Sequence, residues 1–115
     1  MRKVALFAAC LLPVACTAML RPVSEVPSPN YAELSFRDAA GKEIGKWDGI
    51  WYIGGTEFQK PRTHVYVARG RRVVGYQCPG WISVDGYVGL EYTFIGGQSY
   101  EMVCEAKGPV IHSLP

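Results

Sequence analysis

The stretch VYVARGRRVVGYQCPG, residues 65–80, decides how the fold of this chain is interpreted. Apolar residues lie on both sides of a glycine set among three arginines, and a cysteine and a proline end the run. A two-residue turn at Gly70-Arg71 would place Val67 opposite Val74 and bring Cys78 onto the same face. The stretch therefore predicts a β-hairpin with one buried face and with its arginines at a solvated tip.

A second stretch, LEYTFIGGQSYEMVC over residues 90–104, has the same organisation. A three-residue loop, Gly96–Gln98, would pair Phe94 with Tyr100 and direct Cys104 toward the buried face, because the register of a strand follows its apolar face. Both stretches thus point a cysteine into one core, from neighbouring strands or from facing sheets.

The segment after residue 30 begins with a further strand pattern. Ala32, Leu34 and Phe36 alternate with polar residues, which favours a half-buried strand. Asn30 and Glu33 have the spacing of a helix capping box, so a short helix is the alternative.

Turn signals divide the rest of the chain. Asp48-Gly49 and Asp85-Gly86 each lie between apolar residues, a composition typical of tight hairpins. The residues between the turns are rich in Val, Ile, Tyr, Trp and Phe, which favour strands. We expect an all-β fold over residues 31–115: a small antiparallel β-sandwich of the immunoglobulin or transthyretin type.

The two quoted stretches also carry a resemblance that covers residues 63–104, under half of the chain. Their strand, glycine turn and strand pattern resembles that of small exported bacterial lipoproteins with a PEGA-like or transthyretin-like β-sandwich. Many of those proteins have Pro-Gly at the turn, where this chain has Arg69-Gly70. The resemblance implies a β-sandwich module of the cell envelope, and no catalytic residues come with it.

The N-terminus has the pattern of an export signal. A basic head, Arg2-Lys3, precedes an apolar run that is shorter than the ~20 residues needed to span a bilayer. Ala15-Cys16 resembles a lipoprotein processing site, which predicts a signal peptide over residues 1–15 and lipidation of Cys16. Pro13 stands where that site prefers Leu, Val or Ile, and ordinary cleavage after Ala18 is the alternative.

Processing then divides the rest of the chain. Residues 16–30 are rich in Pro, Ser, Val and Thr and predict a flexible tether. We expect the domain to be lipid-anchored in the cell envelope, facing the periplasm or the outer surface; a soluble periplasmic or secreted form is the alternative.

Cys10 would leave with the signal, so Cys78 and Cys104 predict a disulfide in this oxidising compartment. Closing that loop would contribute roughly 3 kcal/mol.

Net charge and the absence of known motifs limit the classes of function that we expect. The formal net charge is +2, and loss of Arg2 and Lys3 with the signal leaves equal numbers of acidic and basic residues, which gives no reason to expect a nucleic-acid partner. The common nucleophile, metal and nucleotide motifs are absent from the sequence. His64 and His112 are isolated in sequence, and His64 falls on the solvent face of its strand. We therefore expect no enzyme, no cofactor, no metal and no catalytic residues.

Two surfaces are candidates for binding. Lys60 and Arg62, with Arg69, Arg71 and Arg72, could form a basic knob for anionic lipid or glycan, although a solvated turn is the favoured interpretation. The aromatic residues are the stronger candidates, because alternation cannot bury all of those in KWDGIWYIGG on one side of a strand. The candidate binding residues are Trp47, Trp51, Tyr52 and Trp81.

These observations predict a non-enzymatic envelope lipoprotein that serves as a binding or structural module for protein, peptidoglycan or another glycan. The alternative is a periplasmic inhibitor of envelope hydrolases, similar in kind to the small disulfide-bearing lysozyme inhibitors.

Overall fold

The computed structural model describes residues 20–80 and 88–115, and all regular structure in these ranges is β-strand. The all-β prediction is confirmed. The strands in these ranges are β1 (Val23–Ser24), β2 (Tyr31–Asp38), β3 (Gly49–Ile53), β4 (Thr56–Arg62), β5 (His64–Ala68), β6 (Gly70–Gln77), β7 (Val88–Phe94), β8 (Ser99–Glu105) and β9 (Gly108–Ser113).

The strands form two sheets that pack as a sandwich around one apolar core. Sheet I has the strand order β1-β5-β2-β8-β9, and sheet II has the order β4-β3-β6-β7. Neighbouring strands are antiparallel except β2 and β8, which run parallel, with Leu34 opposite Tyr100. Sheet I is therefore mixed rather than purely antiparallel.

Apolar and polar residues alternate along β2, and the apolar ones line one side of the core. Ala32, Leu34 and Phe36 are buried, whereas Glu33 and Ser35 between them are partly exposed on the outer face. The predicted strand is confirmed and the helix alternative is wrong, because a helix could not bury every second side chain on one face.

The hairpin predicted at Gly70-Arg71 is wrong. β5 pairs with β1 and β2 in sheet I, whereas β6 pairs with β3 and β7 in sheet II. The chain crosses between the sheets at Gly70, which has a φ of 105°. Arg72 donates hydrogen bonds from Nε to the carbonyl oxygen of Ala68 (3.2 Å) and from Nη2 to that of Arg69 (2.8 Å). Arg72 therefore stabilises the backbone where the chain crosses between the sheets, instead of extending into solvent from the tip of a hairpin.

This error has a physical cause. Val67, Val74 and Cys78 are fully buried, as predicted. They belong to one core but come from opposite sheets, Val67 from β5 and the other two from β6 and the residue after it. Alternation specifies the buried face of a strand but not its neighbour.

The loop predicted to pair Phe94 with Tyr100 is a second crossing, from β7 in sheet II to β8 in sheet I. The two rings do meet, with centroids 5.2 Å apart and planes at 90°, but across the core. Gly96 lies so close to the carbonyl oxygen of Pro29 that a Cβ at this position would overlap it.

The tight turns also lie elsewhere than predicted. Asp48-Gly49 is not a hairpin loop, because the turn spans residues 45–48 and β3 begins at Gly49. Two-residue turns connect β3 to β4 at Gly54-Gly55, where φ is 49° and 106°, and β8 to β9 at Ala106-Lys107. Asp85-Gly86 lies outside the described residues.

The predicted disulfide between Cys78 and Cys104 is confirmed. Cys78 directly follows β6 in sheet II and Cys104 belongs to β8 in sheet I, with Cα atoms 5.8 Å apart. Their exposed fractions are 0% and 4%. The bond therefore links the two sheets through the core.

The predicted signal peptide and Cys16 lie outside the described residues, so their assignment remains a prediction. β1 pairs with β5, placing Val23 opposite Val67, so part of the predicted 16–30 tether is folded against sheet I. Within residues 20–80 and 88–115, no helix has the length and apolarity needed to cross a membrane.

Candidate functional site

A tryptophan occupies the exposed tip of the turn that precedes β3. Asp48 closes the turn: its backbone N–H donates to the carbonyl oxygen of Gly45 (3.1 Å) and its Oδ2 accepts from the Gly45 N–H (2.8 Å). A Cβ at Gly45 would lie only 2.7 Å from that carboxylate oxygen, so a larger residue here would displace the Asp48 side chain. The turn holds Lys46 and Trp47 at its centre, and Trp47 is 60% exposed.

Trp51 supports the exposed ring from β3. The two indole rings are nearly parallel, at 13°, with centroids 6.1 Å apart. Trp51 Nε1 donates to the carbonyl oxygen of Trp47 (2.9 Å), and Lys46 Nζ lies 5.0 Å from the centroid of the Trp47 ring. We call Lys46, Trp47 and Trp51 the tryptophan patch. Its side chains are held in place before any ligand arrives.

A β-bulge explains why Trp51 can reach this position. The register of β3 shifts between Ile50 and Tyr52 against both of its neighbours, and against β6 the additional residue is Trp51. A bulge re-aims a side chain relative to regular alternation. Tyr52 is opposite Gly75 and lies on the outer face of sheet II, as the neighbouring Ile53 is buried.

The structure therefore brings together two of the four predicted aromatic residues. Trp47 and Trp51 form the patch, Tyr52 lies farther along β3, and Trp81 is outside the described residues. The expectation that at least one aromatic faces solvent holds for Trp47. Sequence reasoning missed Lys46, although its position directly before Trp47 was a usable signal.

A polar cluster lies on the outer face of sheet I. Glu33 Oε2 is 2.6 Å from His64 Nε2, and Glu33 Oε1 accepts a hydrogen bond from Ser99 Oγ (3.1 Å). These contacts connect β2, β5 and β8. Hydrogen bonds from His64 and then from Ser99 hold the pKa of the Glu33 carboxyl below its ordinary value of 4.5. His64 is 46% exposed in its side chain, which confirms its predicted place on the strand surface.

The same face carries a second charged group. Arg37 Nε lies 3.0 Å from Glu101 Oε2, and His112 Nε2 lies 3.5 Å from Glu101 Oε1. Both histidines thus lie beside a glutamate. Both histidines are isolated in sequence, and only the strand register of sheet I brings them to their partners.

The contacts on this face are not those that activate a serine nucleophile. His64 and Ser99 both contact Glu33, whereas nucleophile activation requires the imidazole to accept the proton of the serine hydroxyl. Among the described residues, no group of three or more His, Cys, Asp or Glu side chains is arranged to hold a metal ion.

The predicted basic knob does not form one cationic surface. Arg62 contacts Glu25 at 3.1 Å, and Arg71 contacts Glu91 at 2.9 Å. Arg72 is directed to backbone carbonyl oxygens, as described above. Each of these three cations has its own partner. Arg71 is exposed, as a solvated turn predicts, whereas Arg72 is held at the crossing between the two sheets.

A surface depression of about 370 Å³ lies beside the disulfide and is lined in part by Asp38, Lys42 and Glu105. The Asp38 carboxylate already accepts the backbone N–H groups of Ala40 and Lys42, both at 3.0 Å. That carboxylate therefore stabilises the loop after β2 through these two backbone hydrogen bonds.

No family model matches this sequence, and neither a curated protein nor a solved structure matches it.

Proposed function

We propose that this chain is a non-enzymatic binding module of the cell envelope, which captures a protein or cell-wall partner through the tryptophan patch. The observation that carries the proposal is the 60% exposure of Trp47 on a turn closed by Asp48. A large apolar ring held in solvent gains free energy when a partner covers it.

The rigidity of the patch supports the same function. Trp51 stacks against Trp47 and hydrogen-bonds to its backbone, so little side-chain freedom remains to be lost on binding. Preorganised tryptophans bind tightly because the entropy of ordering them is already spent in folding. Lys46 adds a cation beside the ring, which favours partners with carboxylate or phosphate groups near an apolar surface.

The position of the patch suits a tethered domain. The chain enters the fold near Pro22, whose carbonyl oxygen accepts from Ala68 N–H, close to the Gly70 end of β6. The patch precedes Gly49, which is opposite Gln77 at the other end of β6. The length of β6 separates these ends by about 23 Å. A lipid at Cys16 would thus hold the domain with its tryptophans directed away from the membrane.

The binding test compares two exposed side chains at opposite ends of the sandwich. The processed protein is incubated with envelope extract and with purified peptidoglycan, and bound material is recovered. Trp47→Ala should abolish capture and shift the melting temperature by only a few degrees. Ile95→Ala is the matched control, because Ile95 is 61% exposed but follows the Gly70 end of sheet II. Full capture by Trp47→Ala would refute the role of the patch.

The identity of the captured material decides between two modes of action. Recovery of a cell-wall hydrolase whose activity falls in the complex would establish the inhibitor alternative. Recovery of peptidoglycan or of a protein without such activity would establish the binding module.

The anchor is tested separately. Cys16→Ala should release the protein from the membrane fraction or block its processing, and globomycin should accumulate the precursor. A mature N-terminus at Met19, determined by mass spectrometry, would contradict lipidation and leave the role of the tryptophan patch unaffected.

A further inference from the structure

The described part of the sandwich ends in four edge strands, and three of them are protected against pairing with another chain. β1 is only two residues long, and β4 carries Lys60 and Pro61. Directly after β9, Leu114 N–H donates to the Ser99 carbonyl oxygen, so the backbone groups of alternate residues back along β9 point toward β8. Pro109 falls among the residues that point away from β8, and it has no N–H to offer at that edge. Short length, lysine and proline are the usual devices that block edge pairing.

β7 has none of these devices. It has seven residues, VGLEYTF, with no proline and no lysine, and β6 is its only partner strand in the described structure. A long unblocked edge presents backbone groups that another strand can pair with.

The hydrogen-bond pattern shows which groups are presented. The Val73 carbonyl oxygen accepts from Gly54 N–H at 3.0 Å, so the backbone groups of Val73 are directed to β3. Glu91 is opposite Val73, and its N–H and carbonyl oxygen must therefore point away from β6. The same alternation directs those of Gly89 and Thr93 to this edge, which no described strand occupies.

The inner side chains of β7 are incompletely covered. Val88 is 43% exposed, and Leu90 and Tyr92 are partly buried against the core. An additional strand beside β7 would cover all three from the side. The edge thus offers main-chain groups and apolar side chains to the same occupant.

We propose that the occupant is a second copy of this chain, with its β7 paired antiparallel to the first around a two-fold axis at Leu90. This register sets Leu90 against Leu90 and Val88 against Tyr92 on the inner face, and Gly89 against Glu91 on the outer face. Gly89 and Glu91 carry the outward backbone groups, so each such pair exchanges two hydrogen bonds. The two copies of sheet II become one continuous sheet with the same surface used on both sides.

Charge selects this register over the neighbouring one. A two-fold axis at Glu91 would place two carboxylates directly opposite each other, which destabilises a strand pair. With the axis at Leu90, each Glu91 faces a glycine and keeps its own Arg71, 2.9 Å away.

The first test removes the outward N–H group. The protein is purified as it accumulates in cells, with detergent present throughout so that an attached lipid cannot itself cause association, and its mass is followed over concentration by sedimentation. Glu91→Pro should weaken dimerisation at least tenfold and leave the melting temperature within a few degrees, because that N–H has no bond to β6. Glu91→Gln keeps the N–H and should remain as dimeric as the wild type.

The second test locates the axis and does not depend on the proline variant folding. Leu90 would face its copy in a non-hydrogen-bonded pair, with Cα atoms ~4.5 Å apart, within the range of a disulfide. Leu90→Cys should therefore form a covalent dimer on mild oxidation. Val110→Cys, at a site 41% exposed on β9, should remain monomeric in the same gel. A wild-type monomer at all concentrations, or cross-linking through Val110→Cys but not Leu90→Cys, would overturn the proposal.

Discussion

Removal of the disulfide should destabilise this small sandwich by a calculable amount. The variant Cys78→Ala/Cys104→Ala opens a crosslink between residues separated by 26 positions. The loss of loop-closure restraint in the unfolded chain is worth about 3.5 kcal/mol at this separation. Both cysteines are almost fully buried, so the small cavity left by the sulfur atoms adds to this loss.

The expected change in melting temperature follows from the size of the domain. At ~4–8 °C for each kcal/mol, the loss of about 3.5 kcal/mol should lower the melting temperature of the variant by roughly 14–28 °C. The measurement is thermal unfolding by circular dichroism, with urea unfolding at 25 °C as the direct measure of the free energy.

Burial of the bond provides an internal control. Because Cys78 is 0% exposed, a reductant added to the native protein should act only as fast as the protein opens. Reduction in urea followed by refolding should reproduce the melting temperature of the double variant. A loss of stability within about 0.5 kcal/mol, as for a surface substitution, would refute the crosslink argument. So would two thiols that titrate freely in the unreduced, unfolded protein.

Three further changes test the crossing and the polar cluster. Gly70→Val should cost ~1 kcal/mol or more in urea unfolding, because Gly70 has a φ of 105° that a β-branched residue tolerates poorly; unchanged stability would contradict this. Arg72→Ser should cost ~1 kcal/mol, since it removes two hydrogen bonds to the crossing, whereas the exposed Arg71→Ser should cost no more than ~0.5 kcal/mol, and equal losses would refute the role of Arg72. The pKa of Glu33 is lowered by folding, so its stabilisation is present above pH 4.5 and is lost as the pH falls through the folded pKa. Glu33→Gln should destabilise by at most ~1 kcal/mol at pH 7, because both Glu33 and His64 are partly exposed, and a penalty that persists at pH 2 would contradict its origin in hydrogen bonds to the Glu33 carboxylate.

Residue patterns were sufficient to predict several of the strands and the face that each of these buries. Ala32, Leu34 and Phe36 are buried as their alternation predicts, because the side-chain period of a strand is a local property. The pairing of Cys78 with Cys104 followed from the same periodicity together with the predicted loss or lipidation of the other two cysteines.

Which strands lie side by side was decided only by the tertiary structure. A glycine turn between two apolar strands has the same composition whether the chain reverses within one sheet or crosses to the facing one. At Gly70 and Gly96 the chain crosses, and the parallel pairing of β2 with β8 has no local sequence signal.

The candidate surfaces also combine contacts that the sequence could predict with contacts that only the tertiary structure decided. Trp47 and Trp51 are only four residues apart, so their proximity was visible in the sequence, but the bulge that allows their stacking was not. Glu33 meets His64 and Ser99 across separations of 31 and 66 residues. Such contacts depend on how the whole sandwich packs, because strand register is chosen by the burial of all the strands together and not by any one segment.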